Sequence, residues 1–182
     1  MNDRPRQLAS PRPAGRRGRG FSVAEALVAL AITALLGAAL AAATKGAIKS
    51  YGVNMGMASL AQTSRTILDR LAGDVRTAVA VDRDTGRLTL IPPVNAEGIT
   101  EIEYKLSDGT LYYRQTINGT QTSYALVPAD GPIQVTSFTV DWVRAEDGEG
   151  VWFTRSVTVT LGLQSDENIL NATASASLRR NL

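Results

Sequence analysis

The chain has no cysteine and no histidine among its 182 residues. Without cysteine no disulfide can staple an exported domain, so any folded part must rest on its own core and on assembly. Without histidine, Ser-His-Asp and Cys-His catalysis are excluded, and so are the common zinc sites. Carboxylate, lysine and tyrosine chemistry stays formally open, but the expectation is a protein that is not an enzyme and uses no cofactor. Proline is also absent between Phe21 and Ile91. Nothing in that interval forbids a continuous helix.

Positive charge is scarce outside one region. Of 19 basic and 17 acidic residues, six arginines and one aspartate lie within residues 1 to 20. The remainder therefore carries 13 basic against 16 acidic residues, a net of −3. The basicity belongs to the leader, and no nucleic-acid footprint is indicated for the rest. Met1 to Gly20 is polar, contains Pro5, Pro11 and Pro13, and ends in an arginine-rich stretch. It reads as a cytoplasmic leader outside the fold.

The next stretch organises the chain. From Ala26 to Thr44 come nineteen residues without a charge. As a helix rising about 1.5 Å per residue, they span roughly 28 Å, close to the hydrocarbon thickness of a bilayer. Arginines before an apolar helix are the positive-inside signal, which places the N-terminus in the cytoplasm and sends the rest across. Three readings of this run follow: a signal peptide cut near Ala41-Ala42-Ala43, a plain membrane anchor, or a segment cut at its cytoplasmic edge after Gly20. Glu25 argues against the first, because a carboxylate has no role in a signal peptide and weakens insertion. A charge inside a membrane segment is costly and is normally paired and functional.

Beyond Thr44 the three- and four-residue spacing continues through Val53, Met57, Leu60, Ser64, Ile67, Leu71, Val75 and Ala78. This predicts one long helix from about Phe21 to Ala78, its second half amphipathic. Gly46, Gly52 and Gly56 soften its middle, by up to about 1 kcal/mol each relative to alanine. From Val79 the period becomes two. Strands are expected at Val79 to Val81, Arg87 to Ile91, Ile99 to Leu106, Thr110 to Ile117, Thr122 to Val127, Val135 to Arg144, Val151 to Leu163 and Ile169 to Leu178. Asn118-Gly119 is the strongest two-residue hairpin turn, and Gly131-Pro132 interrupts the series.

The fold class is therefore α+β: a long N-terminal helix packed on an antiparallel β-meander. The divisions are residues 1–20, a leader; 21–44, the membrane half of the helix; 45–78, its amphipathic half; and 79–182, a β-rich globular domain.

Four weaker patterns are read structurally. Asp82-x-Asp84-x-Gly86 and Glu146-Asp147-Gly148-Glu149 carry acidic oxygens around a glycine, as a calcium loop would. Each is short and falls where a hairpin turn is expected, so Asp82, Asp84, Glu146 and Asp147 are only weak ligand candidates and no metal site is expected. Asn118-Gly119-Thr120 and Asn171-Ala172-Thr173 fit the glycosylation pattern, but coincide with a tight turn and a strand. Trp142, Trp152 and Phe153, at strand spacing, read as core. Arg16-Arg17 only loosely matches a twin-arginine signal.

Gly20-Phe21-x-x-x-Glu25, at the head of an apolar helix after a basic leader, resembles the class III signal of type IV prepilins and type II secretion pseudopilins. Thr66 to Ala78, Val140-Asp141-Trp142, Ser156 to Leu161 and the closing Ser177 to Leu182 resemble J-type minor pseudopilins. The absence of cysteine removes the disulfide loop common in major pilins and favours a minor pilin or pseudopilin over a cysteine-stapled adhesive pilin. The resemblance implies a pilin-like fold, cleavage between Gly20 and Phe21 by a prepilin peptidase, and N-methylation of Phe21 by the same enzyme. It implies assembly with other pilins or pseudopilins through the N-terminal helix, with Phe21 and Glu25 as the contact. It further implies an inner-membrane precursor, with its C-terminal domain periplasmic or extracellular.

The chemistry is coherent. Cleavage frees an α-amine at Phe21, with an unperturbed pKa near 7.7 to 8. That cation is a natural partner for a neighbour's Glu25, and Glu25 also lies where the helix dipole favours an anion. The rival readings are a membrane-tethered β-domain that binds a partner without joining a filament, and a secreted protein cut near Ala43.

Overall fold

A computed structural model describes residues 20–94, 97–146 and 148–178. The leader before Gly20, including Arg16-Arg17, lies outside the described residues, as do Asp147 and residues 179–182. Two compact units divide the chain between Gly46 and Ala47, and one 55-residue helix, α1 (Val23–Thr77), belongs to both.

In the first unit every described residue is exposed, and the structure is helical from Val23 onward. Thr33 Oγ1 donates to the Ala29 carbonyl at 2.8 Å, and Thr44 Oγ1 to the Leu40 carbonyl at 2.9 Å. Both hydroxyls in the apolar run are thus satisfied within the helix. A segment surrounded by hydrocarbon requires this, because no water is there to pair with them.

In the second unit α1 becomes one-sided. Leu60, Ser64, Ile67, Leu68, Leu71, Ala72 and Val75 are buried, and Ala78 just beyond the helix is buried too. The expected apolar stripe holds from Leu60 onward. Val53 and Met57, which the pattern also placed on it, stay 38% and 37% exposed.

Eight strands follow: β1 (Ala80–Asp84), β2 (Arg87–Ile91), β3 (Ile99–Ser107), β4 (Thr110–Ile117), β5 (Thr120–Val127), β6 (Gln134–Glu146), β7 (Trp152–Ser165) and β8 (Asn168–Ser177). All pairings are antiparallel between sequential neighbours, but the meander divides in two. One sheet has the order β1-β2-β3-β4-β5 and the other β6-β7-β8. The break falls between Val127 and Gln134, around Gly131-Pro132, where proline cannot supply a ladder donor. Asp108-Gly109 and Asn118-Gly119 have φ of 51° and 75°, and of 48° and 81°. Positive φ at both central residues gives the turn whose twist matches the flanking strands.

One face of the five-stranded sheet carries Leu88, Leu90, Ile102, Tyr104, Leu111 and Tyr113, all buried. This face meets α1: the Tyr104 hydroxyl donates to Asp74 Oδ2 at 2.6 Å, and the Arg70 guanidinium lies 3.8 Å from the centre of the Tyr113 ring. The two tyrosine rings meet edge to face at 5.3 Å. The three-stranded sheet contributes Val157, Val159, Leu161 and Leu163 to the same core. Its edge strand β8 runs beside the helix. A Cβ at Gly56 would come within 2.5 Å of Asn168 Nδ2, while Ser175 to Leu178 share a cavity wall with Gly73, Arg76 and Thr77. Glycine at 56 permits that close approach. On the opposite face of this sheet, Thr158–Ser175 and Thr160–Thr173 form cross-strand hydroxyl pairs at 2.8 and 3.1 Å.

Candidate functional site

The site residues expected from the sequence gather at the start of α1. Ser22 is the capping residue. Its Oγ accepts the Glu25 backbone N–H at 3.1 Å, and its carbonyl accepts the first helical bond, from Ala26 N, also at 3.1 Å. A hydroxyl at this position satisfies one of the donors that every helix start leaves unpaired, worth about 1 kcal/mol. Ser22-x-x-Glu25 is the capping-box spacing. The cleavage motif did not single out Ser22; this spacing is the signal that could have found it.

The cap fixes where the helix begins, and hence where the three motif residues stand. Gly20 and Phe21 precede the helix as non-helical backbone, with Phe21 77% exposed. Glu25 is exposed in the first helical turn. Among the described residues no cation lies within ion-pair distance of it. Among the described residues its local electrostatic support is the N-terminal end of the helix dipole, about 0.3–1 kcal/mol.

The segment after Glu25 is the second component. The apolar window of α1 is long enough to cross a membrane and is entirely unburied. Leu27, Val28, Leu30, Ile32, Leu35, Leu36 and Leu40 are all more than half exposed. An apolar surface of this extent in water is unfavourable by about 25 cal/mol for each Å². It calls for lipid, for other helices, or for both.

Of the weak calcium candidates, Asp82 and Asp84 lie on β1 and bond the neighbouring backbone. Asp82 Oδ1 accepts the Arg83 backbone N–H at 2.9 Å, and Asp84 Oδ1 accepts that of Thr85 at 2.8 Å. Asp84 also lies 3.6 Å from Arg87 across the β1–β2 hairpin. Among the described residues no three carboxylates gather as a metal site would need. Glu146 ends β6, exposed, and Asp147 is outside the described residues.

The aromatic expectation needs a correction. Trp142 is half-buried against the core, but Trp152 is 64% exposed. It opens the outer end of β7, opposite Glu146 at the tip of the β6–β7 hairpin, beyond the buried stretch of the strand that begins at Val157.

No family model, curated protein or solved structure matches the chain. The architecture itself is pilin-like: a long N-terminal apolar helix whose later turns pack on antiparallel β-sheet. An apolar helix of this length at the N-terminal side of a β-rich unit is consistent with a membrane anchor.

Proposed function

We propose that the chain is a minor pilin or pseudopilin, a structural subunit of a type II secretion pseudopilus or a type IV pilus. In this reading the precursor is held in the inner membrane by Phe21 to Thr44. A prepilin peptidase cuts after Gly20 and methylates the new Phe21 amine, and the helix then joins a bundle of like helices. The observation that carries the reading is Glu25 in the capped first turn of a helix whose apolar window is wholly unburied, four residues past a Gly-Phe junction.

The energetics favour a role in assembly. A carboxylate within a membrane helix costs on the order of 3 kcal/mol. Meeting a cation at about 4 Å, with an effective dielectric near 20, returns about 4 kcal/mol. Only a processed neighbour supplies that cation, at its Phe21 amine, so cleavage licenses assembly. The β-bearing unit then selects partners.

The test is processing. Gly20→Leu is expected to leave the chain at precursor size in cells that carry the peptidase, while the unchanged chain shortens. Equal mature size for both chains would contradict the proposal and favour a membrane-tethered binding domain.

A further inference from the structure

We propose that a cleft at the Thr77 end of the β-bearing unit binds a partner protein's extended segment that places a carboxylate beside a large apolar side chain. This site is separate from the α1 assembly contact, and the proposal does not depend on cleavage or filament formation.

The cleft encloses about 510 Å³, with Val79, Arg144, Trp152, Phe153, Arg155 and Leu178 in its wall. Every ionisable side chain in that wall is an arginine. Arg144 is pre-positioned: its guanidinium lies 4.2 Å from the centre of the Trp142 ring, and Arg83 approaches the same ring at 5.1 Å. Arg83 is occupied elsewhere, donating to the Val140 carbonyl at 2.8 Å and standing 3.7 Å from Asp141. Arg144 and Arg155 make no ion pair with any described residue. The register between β6 and β7 shifts at Val143/Arg144, so that Arg144 opposes Thr154 while Val143 opposes Ser156. Arg155 is thus the extra residue of a β-bulge, the irregularity that re-aims a side chain out of the ladder.

Apolar surface adjoins these cations. Val79 is 68% and Trp152 64% exposed, and both stand in the cleft wall. An exposed indole beside two guanidiniums is the composition of an interface anchor. The wall also includes β1, the outer strand of its sheet, where an extended segment can lie alongside.

Charge decides among occupants. Residues 47–182 carry 12 basic and 15 acidic residues, so a polyanion such as a nucleic acid would be repelled outside the cleft. A second copy meeting the same face would set Arg144 and Arg155 against their own equivalents. A segment with one or two carboxylates next to an aromatic or leucine side chain satisfies both walls, because carboxylates pair bidentately with arginine.

The chain's two tryptophans both lie at this end, one in the cleft and one beneath Arg144, so their fluorescence reports on it directly. The full chain in nonionic micelles is titrated with the capped peptide Glu-Phe-Glu-Leu, with Gln-Phe-Gln-Leu, and with a ten-residue oligothymidylate. Saturable change with the acidic peptide is expected. The neutral peptide, and the acidic peptide on the Arg144→Gln/Arg155→Gln variant, should bind about tenfold or more weakly, as loss of charge-assisted hydrogen bonds implies. An unchanged thermal melt of the variant confirms that the fold is intact. No saturable response below about 1 mM, equal response to the neutral peptide, or unchanged binding by the intact variant overturns the proposal. So does tighter binding of the oligonucleotide, or self-association abolished by Trp152→Ala in place of peptide binding.

Discussion

The Tyr104 hydroxyl donates a 2.6 Å hydrogen bond to Asp74 Oδ2, joining the middle of β3 to the last turns of α1. Tyr104 has no exposed surface, and its ring stacks edge-on against Tyr113, which Arg70 covers from the helix. Removing the hydroxyl while keeping the ring leaves the packing intact and deprives Asp74 of its donor. Tyr104→Phe is therefore expected to destabilise the β-bearing unit by about 1–2 kcal/mol, measured by urea unfolding of the full chain in micelles. No change would mean that water replaces the bond at no cost.

The same pair sets a pH dependence. Burial, then the hydrogen bond to Asp74, raises the Tyr104 pKa well above the ordinary tyrosine value of 10.0. The folded state therefore holds its proton at pH values where the unfolded chain has lost it. Stability from this group is complete below about pH 10 and falls above it, by about 1.4 kcal/mol for each pH unit. In Tyr104→Phe that alkaline loss should be shallower by one proton. A slope unchanged by the substitution would assign it to other groups.

How much of this was legible in the sequence depends on range. Helix and strands were readable because period and turn chemistry are local: Asp108-Gly109 and Asn118-Gly119 set their hairpins through backbone φ alone. The division into two sheets was not, since strand order depends on contacts between distant residues. Nor was the Tyr104–Asp74 bond, because thirty residues separate its partners. At the candidate site, Gly20, Phe21 and Glu25 were legible as a motif; Ser22 was missed, although its capping spacing to Glu25 is the signal that could have found it. Trp152 was misplaced into the core because alternation reports which face a side chain takes, not whether anything covers that face.

Gly162 shows a packing constraint of this kind. A Cβ there would meet Ser137 Oγ and Thr136 Oγ1 well inside contact distance, and Asn171 Oδ1 at 2.9 Å. The β6–β7 bulge between Val135 and Ser137 brings Thr136 and Ser137 over the glycine, and Asn171 faces it from β8. Gly162→Ala is expected to cost about 1–3 kcal/mol through displaced strands, seen as a lower melting temperature. An unchanged melt would show that the three polar side chains move aside freely.

Glu25 tests the assembly step alone. Glu25→Val removes the carboxylate while keeping the apolar helix and Gly20-Phe21. Processing is expected to continue normally, while recovery of the subunit in sheared filaments or pseudopili falls about tenfold or more, the order expected for losing a buried ion pair. Recovery at the level of the unchanged chain would remove Glu25 from the assembly contact.

The central claim is that the Gly20-Phe21 junction is a processing site, and the mature N-terminus tests it most directly. Mass spectrometry of the protein purified from its own membranes is expected to show a chain beginning at Phe21 with one N-methyl group. A chain that keeps the leader, or one that begins near Ala43, would contradict it.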